Sequence, residues 1–468
     1  MKRMILILLL CLTLVLCACG ETVSVVGSHW NELGELILEM SDGTTVNAGK
    51  HEENPQGLAF HLLPDDTWSV SVGNASQLKE ITVPSTYRGK PVTHVAEEGF
   101  SGAKLIAVSL PDSIKEIGAL AFAGTALQEI VLPTALERIG DEAFRSCSRL
   151  TAVTLPAGLK ALGEGAFTLC SRLVEIQNLS ALTLQVGEGS ELPVSVENLY
   201  TATEGRSRLL TLDGYVFFEG EDGYVLVSYN GTESELVLPA DCNGQPYTLR
   251  EGVFYDCDEL LSVVVTPDVI CVPATAFALC DLLQSVRLPD SVTSIAREAF
   301  TGCVALTELN IPLGVTELSN EHFRNCKKLL RLENEVFYVD KWAVDANGIQ
   351  RELRSDTVGI GPYALHVWET VTELTLPETL LYMGERALGS CKNLTMIVLP
   401  ASLVRVDATA LEWCSALETV YYKGGADSAV LDDLILAEGA VLYYYSAEEP
   451  TAEGNFWHYD VQGEICSW

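Results

Sequence analysis

The chain has 468 residues, with 29 basic and 64 acidic side chains, and therefore a formal net charge of −35. Nucleic acids and anionic membranes are bound through basic surfaces, so this charge excludes nucleic acid as the expected partner and disfavours electrostatic membrane binding. With 48% hydrophobic residues the chain can bury a core and is not globally disordered. Length alone indicates two to four domains, unless the chain is one repeat array.

The amino terminus has the pattern of an export signal. Two basic residues precede an apolar run over residues 4–16, which is shorter than the about 20 residues of a membrane span. Cys19 follows Ala18, and this ending resembles a bacterial lipobox, whose cysteine is lipidated and becomes the first mature residue. We expect a lipoprotein signal peptide at 1–18 and a mature protein at the outer face of the bacterial cell membrane, held by lipid alone. An ordinary secretory signal cleaved after Ala18 is the alternative.

Residues 19–57 are polar and read as a spacer. They contain one strand-like piece at 36–38 and a Ser-Asp-Gly turn signal at 41–43, which together predict one small hairpin. Residues 58–77 are expected to form an amino-terminal cap, because the open end of a repeat array exposes apolar core and strand edges.

The body of the chain repeats with a period of about 23 residues, which lies within the range typical of solenoids. A leucine follows each repeated cysteine by three residues, an aliphatic residue follows it by six, and an apolar residue, usually Phe, precedes it by three. The cysteines in this register are Cys147, Cys170, Cys257, Cys280, Cys303, Cys326, Cys391 and Cys414. With the units that lack the cysteine, the pattern gives twelve repeats. Agreement at so many positions predicts a repeat solenoid.

The unit at 150–170 shows what each repeat is expected to form. Apolar and polar residues alternate around Val153 and Leu155, which predicts a short strand that Pro156 ends. A second short extended piece follows, and Ala-Phe at 166–167 reads as a single helical or 3₁₀ turn. One unit cannot bury its apolar side alone, so neighbours must stack. The predicted fold class is a solenoid of mainly short parallel β-strands with single helical turns.

These units resemble the leucine-rich repeats of BspA-type bacterial surface proteins over residues 78–176 and 236–423. The tyrosine-rich segment at 443–459 is also similar to the ending of such proteins in gut-type Firmicutes. The resemblance implies a surface-exposed, non-enzymatic solenoid used for adhesion or protein binding. The period by itself indicates only the solenoid.

Two breaks interrupt the array. Between 177 and 235, strand-like runs at 209–216 and 224–229 flank an Asp-Gly turn signal and predict a hairpin-like insertion. Near 333–360, a strand-like run at 337–344 precedes a second turn signal. The predicted organisation is a signal peptide at 1–18, a spacer at 19–57, a cap and first repeat block at 58–176, the insertion at 177–235, a second repeat block at 236–423 and a carboxy-terminal cap at 424–468.

The cysteine ladder has two interpretations. One is metal or redox chemistry, but the constant interval between the cysteines is the repeat length rather than a ligand spacing. The favoured interpretation is structural: one small side chain occupies the same core corner in each coil and its thiol bonds a backbone carbonyl. Of 14 cysteines, eleven remain once residues 1–18 are removed and Cys19 carries lipid. An odd number cannot pair completely within one chain, so we expect mostly free thiols.

The sequence predicts no catalytic residue, metal site or cofactor, and hence a protein that is not an enzyme. It lacks the common phosphate-binding, serine-hydrolase and zinc-protease motifs, and its seven histidines have no metal-ligand spacing. A hydrolase site on the 177–235 insertion is the weakest functional hypothesis. A cell-envelope spacer without a dedicated ligand is the main alternative to binding.

The leading hypothesis is a binding module whose outward-facing sheet positions contact a macromolecular partner. That partner would be a host or envelope protein or a glycan, and nucleic acid is not expected. The candidate contact residues lie between core positions of successive repeats: Ser262, Arg287, Glu308 and Glu373. For any one of them, an ordinary solvated surface residue is the alternative.

Overall fold

The computed structural model describes residues 25–30, 35–41, 43–50, 56–187, 190, 192–266, 269–349, 351–451 and 453–468. The predicted signal peptide and Cys19 lie outside these residues. The described chain is a β-solenoid of about 16 turns with a period of about 23 residues and almost no helix, which confirms the predicted fold class. The sequence pattern counts only twelve repeats, because further turns come from segments without its signature, such as Asn198–Thr201. Within the described ranges, no helix has both the length and the apolarity of a membrane span.

Short strands make up almost all of the regular structure. In the amino-terminal part they are β1 (Val25–Trp30), β2 (Glu35–Met40), β3 (Thr45–Lys50), β4 (Ala59–Leu62), β5 (Trp68–Ser71), β6 (Glu80–Thr82), β7 (Thr86–Tyr87), β8 (Lys90–Val95), β9 (Ala107–Ser109), β10 (Glu116–Ile117), β11 (Arg138–Ile139), β12 (Ala152–Leu155), β13 (Ala161–Leu162), β14 (Glu175–Asn178) and β15 (Asn198–Thr201). In the middle part they are β16 (Leu209–Leu212), β17 (Tyr215–Glu219), β18 (Tyr224–Tyr229), β19 (Glu235–Val237), β20 (Tyr247–Leu249), β21 (Ser262–Val264), β22 (Cys271–Val272), β23 (Ser285–Arg287), β24 (Ser294–Ile295) and β25 (Glu308–Leu309). In the carboxy-terminal part they are β26 (Arg331–Glu333), β27 (Val336–Val339), β28 (Trp342–Ala346), β29 (Gly359–Ile360), β30 (Glu373–Thr375), β31 (Tyr382–Met383), β32 (Met396–Leu399), β33 (Arg405–Val406), β34 (Thr419–Tyr422), β35 (Val441–Tyr445), β36 (Phe456–Tyr459) and β37 (Ile465–Ser467).

Each regular coil contributes one strand to each of two parallel ladders. In the middle part, β19, β21, β23 and β25 form one ladder, while β22 and β24 form the other. Val263 pairs with Val286, and Val286 pairs with Leu309, so residues one period apart are direct neighbours. These three side chains are all buried. The period therefore fixes which side chains stack in a column.

The predicted aromatic position forms continuous ring stacks in the core. Phe277 lies between Phe254 and Phe300, with ring centroids 5.3 and 5.2 Å apart. The segment that carries the ring is a 3₁₀ helix at Asn320–Phe323 and a hydrogen-bonded turn around Phe277. A second 3₁₀ helix spans Ala429–Leu431. The turn predicted for every unit is therefore a 3₁₀ helix at Asn320–Phe323 but only a hydrogen-bonded turn around Phe277.

The cysteine ladder is built as the structural interpretation predicts. In several coils the thiol donates to the carbonyl oxygen of the phenylalanine 26 positions earlier, as Cys280 does to Phe254 and Cys303 does to Phe277, both at 2.9 Å. In the last coils a leucine carbonyl takes this place, and the half-buried Cys257 does not make this bond. Burial raises the pKa of the Cys280 thiol well above its usual value. All eleven cysteines within the described residues are free.

Both breaks hold antiparallel strands, but two predicted strands were wrong. The run at 209–216 is not one strand, because a turn at Asp213-Gly214 divides it into β16 and β17. The run at 337–344 is likewise divided by a turn at Asp340-Lys341 into β27 and β28. Asp213 and Asp340 adopt positive φ angles of 49° and 50°, which aspartate tolerates in tight hairpin turns.

The hairpins join the solenoid rather than standing beside it. β18 pairs in parallel with β20, and β28 pairs in parallel with β29. The last strand of each antiparallel unit is therefore also the first strand of a parallel ladder. The amino-terminal hairpin of β4 and β5 does the same, because β5 pairs in parallel with β8. Each of the three antiparallel units therefore starts a new parallel stack.

The carboxy-terminal segment continues the ladder and then reverses. β34, β35 and β36 pair in parallel, and β37 returns antiparallel to β36. Trp457 on β36 is fully buried, and its indole Nε1 donates to the carbonyl oxygen of Tyr422 at 3.0 Å. This packing covers the apolar end of the last coil.

Candidate ligand-binding groove

Three of the four predicted contact residues line one groove on a sheet face. Ser262, Arg287 and Glu308 lie along this middle groove, whose volume is about 710 Å³. The middle groove is lined by residues 262–264, 285–287, 307–310, 329, 331, 340 and 354. Glu373 lies elsewhere, in a second groove between residues 351–355 and β30. The structure thus brings three of the predicted positions together and separates the fourth.

The parallel register explains this convergence. Ser262 pairs with Ser285, and Ser285 pairs with Glu308, so these residues form one outward column beside the buried column of valines and leucine. Val264 pairs with Arg287 in a second outward column. Because neighbouring residues of a strand point to opposite faces, both columns face the groove.

The last rung of this sheet is completed by a side chain. The Asn310 side-chain amide donates to the carbonyl oxygen of Leu288 at 2.8 Å, and its Oδ1 accepts from the Leu288 main-chain N–H at 2.8 Å. An asparagine side chain therefore replaces the main-chain partner where the strand ladder ends. The backbone N–H of Ile311 donates to Oδ2 of Asp340 at 3.0 Å, which ties the β27–β28 hairpin to the end of the sheet.

Arg354 forms a fixed wall at the end of the middle groove. Its guanidinium makes a two-pronged contact with Asp356, with Nε–Oδ1 at 2.9 Å and Nη2–Oδ2 at 2.8 Å. It also lies 5.0 Å from the centre of the Tyr338 ring. The hydrogen bonds from Arg354 lower the pKa of Asp356 and raise that of Arg354. Because Asp356 neutralises the Arg354 guanidinium, Arg354 contributes little net charge to the groove.

Two other arginines of the groove are exposed. Arg287 and Arg331 are exposed, and neither makes an ion pair with another residue that the structure describes. Glu308 is also exposed and has no ion-pair partner within the described ranges. These three charged groups are therefore available to a ligand.

Sequence reasoning missed part of this site. Arg331 lies one repeat length after Glu308 and so falls at the same place in the repeat, a signal that could have identified it. Asp340 and Arg354 come from the break near 333–360, where the repeat gives no register. Their place in the groove depends on how the hairpin folds back.

The arrangement offers charged groups and hydrogen-bonding groups to a ligand. Among the described residues, no group of three or more His, Cys, Asp or Glu side chains could hold a metal ion. His322 is buried near the middle of the array, where both of its ring nitrogens contact backbone atoms. Its Nε2 lies 3.1 Å from the Ile295 carbonyl oxygen, and its Nδ1 lies 3.1 Å from the Ser319 backbone nitrogen.

Comparison with known proteins gives the family. The BspA type leucine rich repeat region matches residues 73–187, 247–350 and 349–428, in six copies. The chain belongs to this family. The matched ranges contain β21, β23 and β25, so the middle groove is built on BspA-type repeats.

Several solved structures of leucine-rich repeat proteins are similar to the chain. A T. pallidum leucine rich repeat protein is 25% identical, covers 55% of this chain and 90% of its own, and has a TM-score of 0.25. A leucine-rich repeat protein from Eubacterium ventriosum is 19% identical over 76% of this chain and 92% of its own, with a TM-score of 0.33. A leucine rich cell surface protein from Faecalibacterium prausnitzii is 20% identical over 79% and 94%, with a TM-score of 0.22. No curated protein matches the chain.

Proposed function

We propose that this BspA-type protein is a non-catalytic binding module of the bacterial surface that holds a macromolecular partner in the middle groove. The observation that carries the proposal is the convergence of Ser262, Arg287 and Glu308 from three successive coils on one groove. Arginine is enriched where proteins bind one another, and Arg287 and Arg331 are free to contact a partner. The partner is a host or envelope protein or a glycan.

The proposal includes export and attachment through lipid at Cys19. The apolar run and the Leu-Cys-Ala-Cys ending support it. Labelling growing cells with a radioactive fatty acid tests it: the wild type is expected to carry label and the Cys19→Ala variant to carry none. Label that persists in Cys19→Ala would contradict lipidation at this residue, while secretion of unlabelled wild-type protein would support the ordinary signal.

A retention experiment tests the binding function. The full chain, solubilised in non-ionic detergent and immobilised, is offered extracellular-matrix proteins, mucin glycans and the organism's own envelope fraction. We expect saturable retention of one component. Ser285→Trp, which fills the middle of the groove, should abolish that retention.

Thr154→Trp is the matched control, because Thr154 is an exposed strand residue on another part of the solenoid. It should leave retention unchanged. If folded wild-type protein retains nothing from the three pools, or if the two tryptophan variants behave alike, binding in the groove is wrong. The first result would favour a cell-envelope spacer.

A further inference from the structure

The middle groove is an exception to the charge of the molecule. The whole chain carries −35, yet the middle groove is lined by three arginines and only two acidic residues. Asp356 neutralises Arg354, so the remaining basic and acidic groups of the groove balance. A neutral lining with two exposed arginines is a specific feature of so acidic a protein, because acidic side chains outnumber basic ones more than twofold along the chain. Exposed arginines attract negative groups on a ligand.

The pairing of side chains shows where these charges are available. Arg354 is committed to Asp356, and Asp340 is held by the backbone N–H of Ile311. Arg287 and Arg331 remain as two exposed guanidinium groups on the same groove. Guanidinium matches carboxylate or phosphate in a planar, two-pronged geometry, and carboxylate is the anion that unmodified peptide side chains carry.

The rest of the lining favours a peptide over a sugar. No aromatic side chain is present among the described residues of the middle groove, so a pyranose ring would find no flat apolar surface to stack on. Ser262 and Ser285 instead line it with hydroxyl groups, which can donate hydrogen bonds to main-chain carbonyls and accept them from main-chain N–H groups. A groove that runs along stacked strands suits an extended segment.

We propose that the middle groove binds a short acidic peptide segment of a protein partner, with Arg287 and Arg331 pairing with its carboxylates. The inference rests on the proposed binding function and adds the chemical class of the bound group. Glu308 lines the same groove as Arg287 and Arg331, and its carboxylate opposes such a ligand. It would limit affinity and select for the spacing of the partner's acidic residues.

A defined peptide tests the charge preference. Fluorescein-labelled hexaglutamate is titrated with the full chain in detergent at 0.15 M NaCl, where the Debye length of about 8 Å screens long-range repulsion by the acidic surface. Hexaglutamine is the neutral probe, and polygalacturonate is the carboxylate-bearing glycan. We expect saturable binding of hexaglutamate, at least tenfold weaker binding of hexaglutamine, and weaker binding of polygalacturonate per carboxylate.

Paired variants assign the effect to the groove. Arg287→Gln with Arg331→Gln should weaken hexaglutamate binding at least tenfold, whereas Arg138→Gln with Arg297→Gln removes two exposed arginines elsewhere and should change it less than twofold. Glu308→Gln should strengthen binding, because it removes the opposing carboxylate. Urea midpoints of all variants verify that each remains folded.

The outcomes separate this inference from the proposed function. If Ser285→Trp abolishes retention of the natural component but the double glutamine variant retains it fully, the groove binds and the acidic-peptide inference is overturned. Equal or tighter binding of polygalacturonate would assign the groove to acidic glycans instead. Failure of hexaglutamate to bind, or equal losses in the two double variants, also overturns it.

Discussion

Arg172 donates a hydrogen bond from Nη2 to the carbonyl oxygen of Tyr255 at 2.7 Å, although 83 residues separate them in sequence. Its Nε donates to the carbonyl oxygen of Gly252, also at 2.7 Å. The side chain is fully buried, and burial lowers the pKa of its guanidinium. One arginine thus joins the repeats before the 177–235 segment to the first coil after it.

Replacing this arginine should destabilise the protein strongly. Arg172→Met retains the approximate volume but leaves two main-chain carbonyls without their donor, and we expect a loss of about 2–4 kcal/mol. Urea unfolding followed by circular dichroism measures it. Arg138→Met, at an arginine side chain that is 57% exposed, should change stability by less than about 0.5 kcal/mol. Equal losses of unfolding free energy in the two variants would show that the buried hydrogen bonds of Arg172 do not stabilise the protein.

The phenylalanine stack should tolerate leucine better than alanine. Phe277 is fully buried between two rings, so Phe277→Ala leaves a cavity and should cost about 3–5 kcal/mol. Phe277→Leu should destabilise the protein clearly less, because buried leucines, Leu388 and Leu411, occupy the same repeat position in later coils. Thermal unfolding midpoints of the two variants test the order. If both variants unfold alike, stacking and volume do not explain this position.

Cysteine reactivity should follow position in the coil. Cys280 is buried, its thiol bonds a carbonyl, and burial raises its pKa, so little reactive thiolate is present. Cys271 is exposed on β22. Native protein treated with iodoacetamide at pH 8 should be alkylated at Cys271 at least tenfold faster than at Cys280, as peptide mass spectrometry would show. Comparable rates would indicate that the ladder opens readily in solution.

His322 should make the protein less stable in weak acid. Burial lowers its pKa below the ordinary value of 6.5, so the folded chain keeps it neutral while the unfolded chain takes up a proton. Its contribution is therefore lost as the pH falls below about 6.5. His322→Ala, which places there the alanine found at Ala276 and Ala299, should show a smaller loss of stability between pH 7 and pH 5 than the wild type.

His61→Ala is the control for this pH effect, because His61 is exposed. Its pH profile should match that of the wild type. A His322→Ala profile that also matches the wild type would show that the buried imidazole does not contribute to acid sensitivity.

The sequence predicts those parts of the fold that the repeat period controls. Because side chains one period apart stack directly, the cysteine register alone predicts the core columns and the outward column of Ser262 and Glu308. Arg331, one period after Glu308, also lines the middle groove. The period predicts the core columns as far as Leu329, the last buried residue in register before the break.

The hairpin turns and the groove wall required the structure. Apolar residues on both sides of Asp213 and Asp340 make each run resemble one strand, and only the left-handed backbone at these aspartates shows the reversal. Arg354 reaches the groove because β27 and β28 fold back against Ile311. Long-range pairing of this kind depends on tertiary contacts that no local pattern contains.

Hydrogen–deuterium exchange tests the central claim most directly. The full chain is compared alone and saturated with the component that it retains, and slowed exchange is mapped by peptide. We predict protection confined to peptides that contain β21, β23 and β25 or the lining residues Arg331, Asp340 and Arg354, with none in β12 or β14. Protection elsewhere with an unchanged groove would contradict binding at this site.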